Sequence, residues 1–238
     1  GNRLSSIAVD PYVYNSSNEL TSIPDTSYTY DNNGNLQSES NTIDTVSYSW
    51  DPDNRLTGVT LPGSGGVVSY QYDPFGRRIY KSSLLGTTIF VYDGPNVIEE
   101  VDDGGFVKAL YTHALGIDEP LSMQRGSTMN YYLSDGLGSI TSLTDPKGDI
   151  VSSYQYDSFG NLTDSTGSIS NPFLYTGREF DIETGLYFYR ARYYDPSIGR
   201  FISEDPIGFN GGDTNFYVYV QNNPVNFIDP TGESIIRC

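Results

Sequence analysis

The feature that most constrains this fold is a short unit that recurs along the chain about every twenty residues. Each unit has an alternating stretch, an aspartate, a turn that contains glycine in most units, and a second alternating stretch. The aspartates of four successive units, Asp31, Asp51, Asp73 and Asp93, are 20, 22 and 20 residues apart. One such unit is too small to bury a core, so neighbouring units must stack side by side.

A single unit has the pattern of a β-hairpin. Alternation over residues 68–72 places Val68, Tyr70 and Tyr72 on one face of a strand. The aspartate that follows can bond its carboxylate to backbone N–H groups ahead of it, and the glycine supplies the positive φ that the turn needs. We therefore expect hairpin turns at Asn33-Gly34, Phe75-Gly76 and Phe159-Gly160.

Helical periodicity is not evident along the chain. The longest apolar candidate, residues 188–198, is interrupted by Asp195-Pro196. The sequence therefore predicts an all-β fold, in which antiparallel β-hairpin repeats form one spiralled ribbon. We expect less than about a fifth of the residues to be helical, well below the third that is usual in globular proteins.

Composition excludes several classes of function. The chain has 13 Lys and Arg against 30 Asp and Glu, a net charge of −17, which disfavours phosphate backbones and anionic lipid surfaces. It contains one Cys and one His, too few for the usual metal sites. We therefore expect no nucleic-acid partner, no membrane insertion, no cofactor and no metal, and we expect His113 to be a packing residue on a strand.

The repeated units resemble the YD repeats of bacterial Rhs proteins, of the shell components of Tc toxins, and of animal teneurins. The run from 174 to 232 is more specific and resembles the Rhs repeat-associated core domain, with LYTGREFD at 174–181 and YRARYYDPSIGRF at 189–201. A loop-like stretch at 164–171 separates the two regions. The resemblance implies YD repeats over 1–170 and a core domain with a short tail over 171–238.

The resemblance also implies a structural function. In this family the ribbon is part of a hollow shell that encapsulates or displays a polypeptide, often a toxin that follows the core domain. The chain begins at Gly1 as if in the middle of a repeat, so we expect it to be the C-terminal part of a larger exported protein, secreted or on the bacterial cell surface. The expected partners are further ribbon of its own polypeptide, copies of itself, and an enclosed toxin.

Two Asp-Pro-x-Gly sites, at Asp205 and Asp229, are the candidate catalytic residues. Taken alone, this tetrapeptide is an ordinary turn sequence. The resemblance implies that the two aspartates form an aspartyl-protease-like pair that cuts the chain once, after the residue that follows the second site. That residue is Glu233 here, whereas the family usually has Leu, so a charge stands where an apolar side chain is expected.

Three hypotheses for function therefore remain. The favoured one is a shell segment that does not act on external substrates, the second is an autoprotease, and the third is an adhesion module that contacts carbohydrate through tyrosine-rich sheets. A cluster of four arginines allows two interpretations. The arginines either position the aspartate pair or hold the core domain against the shell, or they pair locally with nearby acids and stack on nearby tyrosines, and the second interpretation is favoured. The arginines are Arg178, Arg190, Arg192 and Arg200, and the acids are Glu179, Asp181, Glu183 and Asp195.

Overall fold

Sixteen strands form one antiparallel sheet, in which each strand pairs with the next along the chain. The computed structural model describes residues 2–6 and 10–237, so Gly1 and Cys238 lie outside the described residues. We call this sheet the ribbon. Its strands are β1 Val13–Tyr14, β2 Leu20–Ile23, β3 Thr26–Tyr30, β4 Leu36–Asn41, β5 Thr45–Trp50, β6 Leu56–Thr60, β7 Val67–Tyr72, β8 Arg78–Ser83, β9 Gly86–Asp93, β10 Asn96–Val101, β11 Val107–His113, β12 Pro120–Arg125, β13 Thr128–Ser134, β14 Ile140–Thr144, β15 Ile150–Tyr156 and β16 Leu162–Thr166.

Residues 171–237, which we call the inner segment, form two smaller sheets. The first contains β17 Glu179–Asp181, β18 Leu186–Tyr189, β19 Arg192–Asp195 and β20 Arg200–Phe201, and the second contains β21 Phe227–Ile228 and β22 Ile236–Arg237. Helical structure in the described ranges consists of the short 3₁₀ turns Tyr175–Gly177, Gly208–Gly211 and Val220–Asn222. The predicted all-β ribbon is confirmed. In residues 2–6 and 10–237, no helix has the length and apolar character to cross a bilayer.

The turns of the ribbon follow the predicted chemistry. The Asp73 carboxylate accepts hydrogen bonds from the backbone N–H groups of Phe75 at 2.9 Å and Arg77 at 3.0 Å, and Gly76 has a φ of +77°. Because aspartate ties down the amides ahead of it and glycine tolerates positive φ, the chain reverses in four residues. The same paired bonds to the second and fourth residues ahead recur at Asp31, Asp51, Asp102, Asp135, Asp145 and Asp157.

A residue with a ring side chain lies at or beside the end of the first strand in a repeat and bonds to the backbone of the preceding repeat. Tyr72 Oη donates a hydrogen bond of 2.6 Å to the carbonyl of Leu56, the first residue of the preceding return strand. Equivalent bonds join Trp50 to Leu36, Tyr92 to Arg78, His113 to Val97 and Tyr156 to Ile140. His113 therefore occupies a tyrosine position of the repeat, which confirms its predicted packing role on a strand.

The inner segment packs against one face of the ribbon. Backbone hydrogen bonds join Leu36 N to Ile202 O at 2.9 Å and Ile140 N to Leu174 O at 3.0 Å. One apolar cluster shared by the two parts contains Leu20, Leu36, Leu56, Val59, Val68 and Tyr70 of the ribbon with Leu186, Phe188, Tyr193, Ile198 and Ile202 of the inner segment. Burial of these side chains on both partners provides the main attraction between them.

The ribbon curls until its two ends meet around the inner segment. Arg3 precedes β1, and its guanidinium carbon lies 4.2 Å from the ring centre of Phe159, which is in the turn between β15 and β16. Gly199 of the inner segment lies beside both: a Cβ placed there would stand 2.8 Å from Arg3 Nη1 and 2.9 Å from Phe159 Cδ1. The segment before β1 and the last hairpin of the ribbon therefore meet at Gly199 of the inner segment.

A buried ion cluster fastens the middle of the ribbon to the inner segment. Arg78 Nη1 lies 2.5 Å from Asp181 Oδ2, and Lys81 Nζ lies 3.0 Å from carboxylate oxygens of both Asp181 and Glu183. The Arg78 guanidinium also packs 4.5 Å from the ring centre of Phe188. Burial acts to raise the pKa of Asp181, but the charges of Arg78 and Lys81 outweigh burial and hold it below its ordinary value.

Glu39 of β4 and Asp195 of β19 repel each other electrostatically across the same boundary. Burial and, to a smaller extent, the negative charge of Asp195 together raise the pKa of Glu39 to about 7. Burial also raises the pKa of Asp195. Because the folded chain holds a proton on Glu39 that the unfolded chain releases near pH 4.3, stability should fall as the pH rises from about 4.5 to 7.

Glu39→Gln is therefore expected to raise the free energy of unfolding at pH 8 by roughly 1–3 kcal/mol. At pH 4.5 we expect almost no difference, because Glu39 is already neutral in the folded chain. Denaturant melts of both chains at the two pH values measure the effect, with Asp103→Asn at an exposed hairpin tip as the control for lost surface charge. An equal gain at both pH values would contradict this explanation.

Candidate functional site

The inner segment brings the two predicted aspartates together on one buried arginine. Arg192 Nη2 lies 3.2 Å from Asp205 Oδ2 and 3.4 Å from Asp229 Oδ2. Arg192 is on β19, and its guanidinium packs 3.6 Å from the ring centre of Phe201. Of the two interpretations of the arginine cluster, the positioning of the aspartate pair is therefore correct for Arg192.

Asp229 is bonded to the nitrogen side of the predicted cut. Its Oδ1 atom accepts hydrogen bonds from the backbone N–H groups of Gly232 at 2.9 Å, Glu233 at 3.1 Å and Ser234 at 3.0 Å. The last of these N–H groups belongs to the peptide bond between Glu233 and Ser234. The turn that the sequence suggests is therefore present, and it places a carboxylate directly on the amide of that bond.

Asp205 lies near the carbonyl side of the same peptide bond. A Cβ placed on Gly211 would stand 2.4 Å from Asp205 Oδ2 and 3.3 Å from the carbonyl oxygen of Glu233. Because Gly211 has no side chain, the Asp205 carboxylate and the Glu233 carbonyl can both lie close to its Cα. The two aspartates therefore flank the bond between Glu233 and Ser234, one near each end.

The second Asp-Pro-x-Gly turn is held by three consecutive residues, the two that connect β18 to β19 and the first residue of β19. The Arg190 side chain donates to Pro230 O, the Ala191 N–H donates to Thr231 O at 3.2 Å, and the Arg192 side chain donates to Gly232 O. A Cβ on Gly232 would stand only 2.2 Å from Tyr189 O, so this position excludes larger residues. The turn that carries Asp229 is therefore fixed through its backbone carbonyls.

The pKa values of both aspartates are raised above the ordinary value of an aspartate. Burial raises the pKa of Asp205, Arg192 opposes that rise, and the charge of Asp229 adds to it. Burial likewise raises the pKa of Asp229, against the lowering effect of Arg192. The pKa of Glu233 is raised by burial and then by both aspartates. Two carboxylates with raised pKa values beside one arginine can share a proton, as a general acid and base pair requires.

A small cavity lies within this group. It has a volume of about 10 Å³ and is lined by Arg192, Asp205, Asp229 and Glu233 among others. That is about the space that one water molecule needs, and the lining supplies several polar partners for it. The site can therefore hold one water molecule beside the peptide bond that follows Glu233.

The other three arginines bind the inner segment to the ribbon, as the first interpretation of the cluster predicts, and the favoured prediction of local pairing is wrong for Arg190 and Arg200. Arg178 does pair with its neighbour Glu179 at 2.7 Å, but it also pairs at 2.5 Å with Asp118 of the ribbon. Arg190 pairs with Asp118, and Arg200 donates to the Asn18 carbonyl. Two of the acids expected to pair locally, Asp181 and Glu183, bond instead to Arg78 and Lys81 of the ribbon.

Comparisons with known proteins agree on the family. The family model described as Teneurin YD-shell matches residues 1–225. The tRNA nuclease WapA of Bacillus subtilis is 37% identical over 228 residues, which cover 92% of this chain and 10% of that protein. Double-stranded DNA deaminase toxin A of Burkholderia cenocepacia is 30% identical over 253 residues, which cover 92% of this chain and 18% of that protein.

Solved structures show the same fold at lower identity. The crystal structure of TcdB2-TccC3 superposes with a TM-score of 0.61 and 21% identity, covering 87% of this chain and 13% of that one. A Photorhabdus luminescens Tc holotoxin pore gives a TM-score of 0.63 and 20% identity, covering 93% of this chain and 15% of that one. The chain thus spans about a tenth to a fifth of the length of these relatives. With its ribbon of stacked hairpins and a family match over residues 1–225, the chain belongs to the teneurin YD-shell family.

Proposed function

We propose that the chain is the closing turn of a longer YD shell, exported as part of a secreted or cell-surface protein. The observation that carries this proposal is the curled ribbon, whose ends meet at Arg3 and Phe159 around a filled interior. Tyr187, Tyr189, Tyr194, Tyr217 and Tyr219 of the inner segment are each fully buried there. A turn filled in this way seals a shell, so any enclosed polypeptide, such as a toxin, would lie in other turns.

The proposed boundary between the repeats and the core domain lies just after the end of the ribbon. Its last strand stops at Thr166, and the inner segment begins shortly after it. We assign the repeats to 1–170 as the wall and 171–238 as the core domain that fills it. The buried cluster of Arg78, Lys81, Asp181 and Glu183 supports this assignment, because it joins wall and filling by ion pairs shielded from water.

Sedimentation of the isolated chain tests the assembly part of this proposal. Among described strands, β1 and β16 each pair on one side, and all five residues of β16 are exposed. The chain has lysine, the usual guard of an open edge, at Lys81, Lys108 and Lys147 and nowhere later. We expect self-association that grows with concentration and persists in high salt, since backbone pairing acts at about 4.8 Å and is barely screened.

A matched variant makes that test specific to the edge. Thr163→Lys with Asp164→Lys places two charges on β16 without touching the inner segment, and this chain should sediment as a monomer. If the unmodified chain is a monomer at all concentrations, its edges are covered and the proposal of further ribbon as partner is wrong. If both chains associate equally, the contact lies elsewhere.

We propose self-cleavage between Glu233 and Ser234 as a second function of the same region. It is favoured by the carboxylates that flank this bond, Asp229 on its N–H and Asp205 near its carbonyl. In this scheme one aspartate takes a proton from water as the water oxygen bonds to the Glu233 carbonyl carbon. The other supplies the proton that the Ser234 nitrogen takes as the C–N bond breaks, so the pair ends with the proton count it began with.

Replacement of Glu233 by Leu should increase the rate of this cleavage. The Glu233 carboxylate interacts unfavourably with both aspartates, so removing it makes it easier for one of them to ionise and act as the base. We expect about a 3- to 10-fold gain at neutral pH, equivalent to half to one unit of pKa. Timed intact-mass measurements report the loss of residues 234–238. An unchanged rate would show that the charge at this position has no influence on the pair.

A further inference from the structure

A ribbon residue reaches the turn that carries the aspartate pair. Asp118 lies in the connection between β11 and β12, more than a hundred residues before Asp229. We propose that Asp118 is a positioning residue for the Asp229 turn and acts through Arg190, so that cleavage depends on the inner segment being seated in the ribbon. The consequence for cleavage rests on the self-cleavage proposed above; the positioning itself does not.

The contact between Asp118 and Arg190 has two points of attachment. Arg190 Nη2 donates to Asp118 Oδ1 at 2.7 Å, and Arg190 Nη1 donates to Asp118 Oδ2 at 3.1 Å. Such a paired arrangement fixes the plane of a guanidinium as well as its distance. The same Nη1 atom donates to Pro230 O, next to Asp229. One carboxylate of the ribbon thus orients the group that holds the Asp229 turn.

Asp118 is itself held firmly, as a positioning group must be. Its Oδ1 atom lies 2.5 Å from Arg178 Nη1. Its backbone presses on Gly177, where a Cβ would stand 2.4 Å from the Asp118 carbonyl oxygen. Asp118 and Arg190 both have positive φ, at +61° and +57°, a conformation that costs energy for residues other than glycine and persists where surroundings impose it.

The contact also couples two parts of the fold. The groups described around the aspartate pair, Arg192, Gly211 and the backbone of 232–234, all belong to the inner segment. Asp118 belongs to the ribbon. When the inner segment is not seated, Arg190 loses this partner and the Asp229 turn loses one of its three carbonyl anchors. Cleavage would then take place only after the inner segment is seated in the ribbon.

Hydrogen exchange on the full chain tests the positioning whether or not the chain cuts itself. The amides of Gly232, Glu233 and Ser234 bond to Asp229, so their exchange rates report the order of this turn. We expect Asp118→Ala and Arg190→Met each to speed this exchange by about tenfold or more. Because the two act in series, the double variant should exchange no faster than Arg190→Met alone.

Glu183→Gln serves as the matched control. It removes another ion pair between the ribbon and the inner segment, with Lys81, but reaches no atom of the Asp229 turn. In Glu183→Gln, the amides of Gly232, Glu233 and Ser234 should exchange at rates within about twofold of those in the unmodified chain. If Asp118→Ala leaves the exchange unchanged, or if Glu183→Gln speeds it equally, the positioning role is wrong.

The cleavage assay then separates this inference from the function it deepens. Intact mass should show slower loss of residues 234–238 in Asp118→Ala, with part of the rate restored in Asp118→Asn, which keeps one oxygen for Arg190. A chain that is never cut, but whose turn loosens in Asp118→Ala, would refute self-cleavage and uphold the positioning. If Asp118→Ala cuts at the normal rate and its Asp229 turn is unaltered, self-cleavage would be upheld and the positioning role of Asp118 refuted.

Discussion

Asp229→Asn is expected to leave the chain folded and uncut. Asparagine keeps a side-chain oxygen for the N–H groups of Gly232, Glu233 and Ser234, so the turn can persist. It cannot exchange a proton with water or with the leaving amine, which removes half of the acid and base pair. We expect the rate of cleavage to fall by at least about 100-fold, the usual contribution of one positioned acid or base.

Asp205→Asn should have an effect of the same size, because each aspartate needs the other. Intact mass over time gives the rate for each variant, and a denaturant melt shows that the variant is folded. Normal cutting by either folded variant would mean that the two residues are structural only. Asp213→Asn is the matched control, because it alters another carboxylate that lines the same cavity. This variant should still cut its chain.

Arg78→Met should cause the largest loss of stability. Arg78 is 1% exposed and pairs with an equally buried Asp181, so the substitution leaves a buried carboxylate without its main partner. Removing one member of a buried ion pair costs about 3–5 kcal/mol. Denaturant unfolding measures the change, and the same variant should lower the resistance of the inner segment to proteolysis, since it loses a tie to the ribbon.

The double variant Arg78→Met with Asp181→Leu is the control. If the cost arises from an unpaired charge, an apolar pair of similar volume should restore most of the stability. A double variant as unstable as the single one would place the effect in packing against the surrounding rings. An Arg78→Met chain as stable as the original would show that the ion cluster does not hold the inner segment.

The sequence predicts the ribbon well because its order is local. In most turns the aspartate and the glycine lie within four residues of each other, and alternation identifies the face of each strand. The Asp73 carboxylate bonds to the backbone N–H groups ahead of it and Gly76 has a positive φ, as expected, and His113 takes a tyrosine position. The proximity of Asp205 and Asp229 was predicted through the resemblance, since nothing local brings together two turns 24 residues apart.

The sequence predicts contacts between the arginine cluster and the shell only as the less favoured interpretation, and it does not identify the ribbon partners, because these contacts are not local. One signal was present in the repeats: the first residue of the return strand is Leu36, Leu56 or Leu162 in several units, whereas it is Arg78 in another. A charge at an inward-facing position requires a buried partner. That partner, Asp181, comes from a distant part of the chain, and sequence spacing alone does not identify it.

An electron cryomicroscopy map of the polypeptide to which these residues belong tests the central proposal most directly. We expect a closed hollow body in which β1 pairs with a preceding strand, while residues 171–237 fill the last turn of the wall and seal it. The proposal would be contradicted by a map in which the free edge of β1 remains unpaired, or in which the lumen passes through this turn with the inner segment lying outside the ribbon.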